Sequence, residues 1–330
     1  MTKFYRKKNV LVAGGSGFIG SNLIKRLIKI NANVFSTVHN SKPPIVDKNI
    51  KYFEADLLSS NDCRKICKDM DYVFMCAANT SGAKIISTTP LVHLTPNIIM
   101  NMNMLEAAHI ENVKKFLFIS SNTVYPLTNH PVIESDVNNE FYKSYHIVAW
   151  MKRFTEIVCD MYSNKIKNQM QTVIVRPGNL YGPFDKFDKD KAKVIPALIM
   201  RAFQKQSPFI VWGDGLDIKD FLYIDDYIDG MLLAMEYLSN AQSINIASGE
   251  KITIRDVLKL ILQYSGHSDA DIQYDKSKPT MIPKRMIDIS LAKKTLKWEP
   301  KVSLEDGIKN TIDWYVNNYV KKDSEYHDNK

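Results

Sequence analysis

Long apolar runs are missing from this chain of 330 residues. No stretch approaches the roughly 18 uninterrupted apolar residues that a membrane-spanning helix needs, so no span is expected. Cysteine is scarce: Cys63, Cys67, Cys76 and Cys159 are the four. Cys63 and Cys67 sit one helical turn apart, but no histidine or further cysteine completes a metal site. That argues against a metal site, and buried or idle thiols in a reducing cytoplasm are expected instead. A dense basic tract is lacking too. The formal net charge is +8, yet Lys7-Lys8, Lys114-Lys115, Lys293-Lys294 and Lys321-Lys322 are scattered pairs. They argue for a solvated lysine-rich surface rather than a nucleic-acid footprint. Residues 1–8 hold no apolar core for a signal peptide, and the polar tail 321–330 is expected to fray.

What is present starts with glycine. The run Ala13-Gly14-Gly15-Ser16-Gly17-Phe18-Ile19-Gly20 follows an apolar run, Val10-Leu11-Val12, and opens an amphipathic one, Asn22-Leu23-Ile24-Lys25-Arg26-Leu27-Ile28. That order reads as strand, glycine turn, helix. Gly14 permits the tight turn, Gly17 lets a pyrophosphate approach the backbone, and Gly20 lets the helix pack close on the sheet. The free N–H groups and positive dipole end of the helix then face the phosphates. The spacing is G-x-x-G-x-x-G, and its strand and helix context makes it a dinucleotide signal rather than an ordinary turn.

Apolar and amphipathic runs alternate through the first half. Strands are expected at 10–12, 34–38, 51–53, 72–76, 115–120 and 171–175, with helices at 21–30, 60–68, 96–111 and 145–164. This is the signature of an α/β fold, a Rossmann-like doubly wound parallel sheet with helices on both faces. After Arg176-Pro177-Gly178 the pattern loosens. Pro183, Pro196 and Pro208 punctuate it, and 184–193 reads as a polar, charged loop. The expected organisation is a Rossmann domain over 1–178, to which 226–248 returns, and a smaller C-terminal substrate-binding lobe over 179–330. Its length suits one large unit or two lobes sharing a core.

Several motifs in order carry this beyond a generic nucleotide fold. They are residues 14–20, Asp56-Leu57, Cys76-Ala77-Ala78, Leu105-Glu106-Ala107-Ala108, and residues 118–125, 176–183, 211–215, 220–226 and 298–300. Nearly end to end, the chain resembles the extended short-chain dehydrogenase/reductase family, NAD(P)-dependent epimerases, dehydratases and reductases of nucleotide sugars. Residues 194–197 and 211–213 are most similar to its GDP-L-fucose synthase and GDP-mannose 3,5-epimerase branches. The resemblance implies a nicotinamide cofactor held by Gly14, Gly17, Phe18, Ile19, Gly20, His39, Lys42, Asp56, Leu57, Cys76, Ala77, Ala78, Lys152, Pro177, Asn179 and Leu180. It implies a nucleoside-diphosphate sugar held by Ser81, Gly82, Ser121, Asn122, Asn179, Lys193, Val194, Trp212, Lys219 and Lys284. Its catalytic set is Ser121, Thr123, Tyr145, Lys152 and Lys193. Lys284 brings Arg285 with it as a basic pair.

The family's chemistry uses a tyrosinate, kept acidic by a lysine, that exchanges a sugar hydroxyl proton while hydride moves to or from the nicotinamide. Ser121 matches the family serine. Thr123 stands where both branches place an acid/base cysteine, and threonine is a poor acid or base at neutral pH. The Tyr-x-x-x-Lys motif is where the chain departs. Aligning Lys152 and Glu156 with the family's lysine and glutamate, as Cys159 and Tyr162 support, puts Val148 where the tyrosine belongs. Tyr145 shares a helix face with Lys152 if the helix extends back that far, since seven residues turn through roughly 700° and rise about 10.5 Å. It is then either a displaced acid/base or a packed tyrosine.

After the second strand the chain reads Thr37-Val38-His39-Asn40-Ser41-Lys42. No carboxylate is there to bind the ribose hydroxyls of NAD, and His39 and Lys42 are available to a 2′-phosphate, so NADP is favoured over NAD. The resemblance also implies a homodimer in which helices 96–111 and 145–164 pair with their copies. Met100, Met102, Met104, Trp150, Met151 and Phe154 would supply the apolar surface. The function expected is a nucleotide-sugar reductase or epimerase acting through a 4-keto sugar. The alternatives are a cofactor-binding relative with impaired chemistry in a regulatory or scaffolding role, and a reductase of non-sugar carbonyls, against which the basic second lobe argues.

Overall fold

The computed structural model describes residues 2–80, 89, 91–189, 191–278 and 281–321. Ser81, Gly82 and the tail beyond Lys321 therefore lie outside the described residues. The chain runs β1 (Asn9–Ala13), α1 (Phe18–Lys29), β2 (Asn33–Val38), β3 (Ile50–Glu54), α2 (Ser60–Cys67), β4 (Tyr72–Met75), α3 (Leu91–Ile110), β5 (Lys115–Ile119), α4 (His146–Asn164) and β6 (Gln171–Pro177). The second half runs β7 (Asn179–Tyr181), α5 (Val194–Phe203), β8 (Phe209–Trp212), β9 (Ile218–Lys219), β10 (Phe221–Tyr223), α6 (Ile224–Tyr237) and β11 (Gln242–Ile246). It ends with β12 (Ile252–Thr253), α7 (Ile254–Tyr264), β13 (Ile272–Asp275), α8 (Ser290–Leu296) and α9 (Leu304–Tyr315).

Seven strands form one parallel sheet in the order β3-β2-β1-β4-β5-β6-β11. Val10 pairs with Val34 on one side and Tyr72 on the other. Strand order therefore reverses between β1 and β4, which opens a crevice at the carboxyl ends of the strands. From Val10 to Ala13 β1 is apolar because helices cover both faces. Val10 and Val12 join a core with Leu23, Ile24 and Leu27 of α1, while Leu11 and Ala13 join one with Cys63, Ile66 and Cys67 of α2 and Met104 and Leu105 of α3. Each fully buried leucine or isoleucine of α1 contributes about 1.5–3 kcal/mol.

The first of these cores continues into the C-terminal half, through Ile195 and Ile199 of α5, Val257 and Ile261 of α7 and Ile308 of α9. The sheet helices of the first half and the helices of the C-terminal half thus pack on shared apolar surface. Residues 242–246 return to the main sheet as β11, Ile244 opposite Val175. The remaining strands pair two by two: β7 with β10, β9 with β12, and β8 with β13.

Three expectations change. α3 begins at Leu91 rather than at Pro96, which lies inside it. Side chains fasten that added turn to the exit of β4: Asn97 Oδ1 accepts from Asn79 N at 2.8 Å and His93 Nδ1 lies 3.0 Å from Asn79 O. α4 begins at His146, after a separate 3₁₀ turn over Lys143–Tyr145. Finally, the 184–193 loop is not merely polar. Phe187 is buried against Trp314, Tyr315 and Tyr319, and the partly exposed Phe184 packs on Trp314.

Candidate active site

The glycine turn between β1 and α1 is built by contacts that side chains would block. Gly14 has φ +89°, and a Cβ there would stand 2.6 Å from the Ala77 backbone at the exit of β4. Its N–H donates to Thr37 Oγ1 at 2.8 Å. A Cβ on Gly20 would overlap the Gly14 carbonyl oxygen, so Gly20 seats the helix on the turn itself rather than on the sheet. Gly15, not singled out from the sequence, brings the turn against Ser36 of β2. Gly17 differs: an added Cβ would meet only Gly14 O, at 3.3 Å, and the space beside it is open. Gly17 caps α1 with no side-chain hydrogen bond, and the first turn carries no acid. Uncapped N–H groups at the positive end of a helix suit a pyrophosphate.

The other cofactor candidates lie along the same edge. Cys76, Ala77 and Ala78 leave β4, the Cys76 N–H donating to Ala13 O at 2.9 Å. Asp56 and Leu57 follow β3, with Asp56 Oδ1 accepting from Leu58 N at 2.9 Å and Leu57 buried. His39 and Lys42 lie exposed beyond β2. Pro177 ends β6, its carbonyl accepting from Asn122 Nδ2 at 3.0 Å. Strand ends from across the sheet thus line one crevice, with Asn179 and Leu180 continuing it in β7.

At the end of β5, Ser121 Oγ accepts from Thr123 N at 3.1 Å and Thr123 Oγ1 at 3.0 Å. Lys152 reaches the same strand end from α4, donating to Ile119 O at 2.8 Å over the Phe118 ring. Burial brings its ammonium down to about 8, partly opposed by Glu156. Tyr145 does not share a helix face with it. Tyr145 caps α4 at φ −112°, ψ 6°, outside the helix, so the 3.6-residue period does not reach it. Burial alone pushes its phenol up to about 12, with no cation opposing.

Behind Lys152 lies a buried polar network. Glu156 accepts from Ser120 Oγ at 2.6 Å and from Arg176 Nε and Nη2 at 2.8 and 2.9 Å. Arg153 adds a bond at 3.0 Å. Arg176 also donates to Tyr125 Oη at 3.1 Å, and Tyr125 to Asn245 Oδ1 at 2.5 Å. These bonds fix α4, β6, β11 and the Ser121 turn relative to one another, because a buried charge is tolerated only when fully partnered.

In the second lobe, Asp220 accepts from the N–H groups of Ser248 and Gly249 at 2.7 and 2.8 Å, and burial raises it to about 6. Its carbonyl accepts from Asn179 Nδ2 at 3.1 Å, holding Asn179 at the crevice. Lys219 is paired with Asp217 Oδ2 at 3.1 Å and donates to Ile282 O, so its charge is already partly spent. Lys284 bridges to Ile218 through its backbone. Arg285 points inward: it is 2% exposed and donates to Pro126 O and Tyr125 O at 2.9 and 3.0 Å. The Lys284-Arg285 pair is therefore split, with Arg285 tying the Ser121 turn to the second lobe. Trp212 is half-exposed at the end of β8, and Val194 opens α5. Lys193 caps α5 and stands 5.8 Å from the Phe18 ring, bringing the second lobe over the glycine turn. Among the described residues no group of acids, histidines and cysteines could hold a metal.

Residues 10–247 match the NAD dependent epimerase/dehydratase family. The chain is 29% identical to GDP-L-fucose synthase of Escherichia coli (strain K12), over 94% of this chain and 98% of that protein. It is 28% identical to GDP-mannose 3,5-epimerase 1 of Oryza sativa subsp. indica, over 93% and 82%. Among solved structures, the UDP-glucose 4-epimerase of Thermotoga maritima, determined with UDP-glucose, superposes with a TM-score of 0.84 at 28% identity, over 94% of this chain and 99% of that one.

Proposed function

Because the chain belongs to the NAD dependent epimerase/dehydratase family, we propose that it is an NADP-dependent reductase or epimerase acting on a nucleoside-diphosphate sugar through its 4-keto form. The observation that carries this is that Lys152, bonded to Ile119 O, and Ser121 stand at the same end of β5, with the glycine turn two strands away along the same edge. The open face of Gly17 and the uncapped start of α1 fit a dinucleotide pyrophosphate. When bound, the nicotinamide supplies or takes up a hydride. Ser121 then holds the sugar oxygen, and Lys152 moves the proton to or from it. Asn179, Lys193 and Lys284 are the second-lobe candidates for the substrate, with Val194 and Trp212 beside them. Lys219 contributes only what its pairing with Asp217 leaves.

NADP is preferred on this reading because the exit of β2 presents His39 and Lys42 and no carboxylate. NADPH is expected to bind more tightly than NADH by titration, with the margin shrinking in His39→Ala and Lys42→Ala. A preference for NADH of about tenfold would overturn it.

A second reading has one observation in its favour. Val148 occupies the tyrosine register of α4, and the Tyr145 hydroxyl has no hydrogen-bond partner among the described residues. On that reading the protein binds its cofactor in a regulatory or scaffolding role. NADPH oxidation with GDP-, dTDP-, UDP- and CDP-linked 4-keto sugars decides between them. Turnover with any of them supports the enzyme; cofactor binding with no turnover supports the second reading.

A further inference from the structure

Ser121 leads a 3₁₀ turn over Asn122–Val124 that is held from several sides. Asn122 Nδ2 donates to Pro177 O at 3.0 Å, and Arg285 Nη2 donates to Tyr125 O at 3.0 Å. Val124 and Tyr125 are fully buried. Within this fixed turn the Ser121 hydroxyl oxygen receives two hydrogen bonds, from Thr123 N at 3.1 Å and from Thr123 Oγ1 at 3.0 Å. Thr123 is itself buried, whereas Ser121 is partly exposed at the end of β5.

A serine hydroxyl has two lone pairs and one hydrogen. Thr123 occupies both lone pairs. The hydrogen is left over, and it has no acceptor among the described residues. Ser121 is therefore a donor that can accept nothing further. A ketone oxygen, or the alkoxide it becomes when hydride reaches the carbon, is an acceptor only and suits such a group. The proton of a sugar hydroxyl finds no lone pair there. The bonds from Thr123 also polarise the Ser121 O–H, which strengthens what it donates. That gain is largest where negative charge develops on the oxygen.

We propose that Thr123 is a positioning residue. By filling both lone pairs of Ser121 Oγ it makes Ser121 a dedicated donor to the carbonyl oxygen of the 4-keto substrate. The inference rests on the 4-keto sugar reading above. It gives Thr123 a role that needs no titration: its hydroxyl stays protonated, and the proton for the reduced oxygen comes from Lys152.

The test is steady-state NADPH oxidation with whichever of the GDP-, dTDP-, UDP- and CDP-linked 4-keto sugars wild type reduces fastest. Thr123→Val keeps the shape and the backbone donor but removes the hydroxyl. Its kcat is expected to fall roughly 3- to 10-fold, the worth of one neutral hydrogen bond. KM, NADPH affinity and melting temperature should not change, and Thr123→Ser should restore kcat. Ser121→Ala should lower kcat roughly 10²- to 10³-fold, as loss of an oxyanion donor does. Adding Thr123→Val to Ser121→Ala should lower it no further, because no hydroxyl is left to orient. Unchanged kcat or a raised KM in Thr123→Val, an additive loss in the double variant, or failure of serine to restore kcat overturns this inference alone. Wild type that reduces none of the four sugars removes the 4-keto reading and this inference with it.

Discussion

Lys152 owes its acidity to burial, which outweighs Glu156 and the contacts with the Ile119 carbonyl and the Phe118 ring that favour the ammonium. Burial disfavours the charged form, so it titrates at about 8 instead of the usual lysine value. The sign for activity follows. Ketone reduction needs the ammonium as proton donor, so its rate should be flat below pH 8 and fall above it. The reverse oxidation needs the amine and should rise over the same range. Lys152→Met should abolish that inflection and lower turnover roughly 10²- to 10⁴-fold, measured as NADPH oxidation against pH. Tyr145→Phe should leave turnover within about threefold, since a hydroxyl without a partner carries little. A hundredfold loss would instead show that Tyr145 enters the site when substrate binds. The lysine was legible in the sequence through its register with Glu156, Cys159 and Tyr162. The tyrosine was not, because its position depends on where α4 starts, and a 3₁₀ turn moves that start.

At the scale of elements, the strand–turn–helix unit of β1 and α1 separates two kinds of glycine. Gly17→Val should abolish dinucleotide binding with little change in melting temperature, because its Cβ meets only Gly14 O, at 3.3 Å. Gly20→Ala should do the opposite first, destabilising by about 1–3 kcal/mol as the helix is pushed off the turn. Thermal melts paired with cofactor titrations distinguish the two, and equal effects would refute the assignment. In α4 the side chain of Glu156 is fully buried against Arg176. Glu156→Leu should cost about 3–5 kcal/mol in chemical denaturation, by leaving the arginine unpaired. Most strands and helices were legible because their period is local. The early start of α3 was not, because contacts of His93 and Asn97 with Asn79 create that turn.

At the scale of the whole molecule, α3 and α4 pack side by side and present an uncovered apolar face. Trp150, Phe154 and Met161 are 40%, 43% and 46% exposed, and Ile99 39%. The three on α4 fall within roughly 40° around the helix. Met104 and Met151, expected at that surface, are buried in the protein's own packing, and Met100 and Met102 are partly buried there. We propose that a second copy covers this face. Sedimentation should give a dimer at micromolar protein, and Trp150→Asp with Phe154→Asp should give a monomer; a wild-type monomer would refute it. The sequence alone determined the glycine turn, the alternation that builds a parallel sheet, and the family's set of polar residues. Each is written in neighbouring residues, where backbone geometry and periodicity act. Only the tertiary structure decided that Tyr145 stands outside its helix, that Lys219 is spent on Asp217 and that Arg285 turns inward. Those outcomes depend on burial and charge between segments far apart in the chain, and no local pattern encodes them.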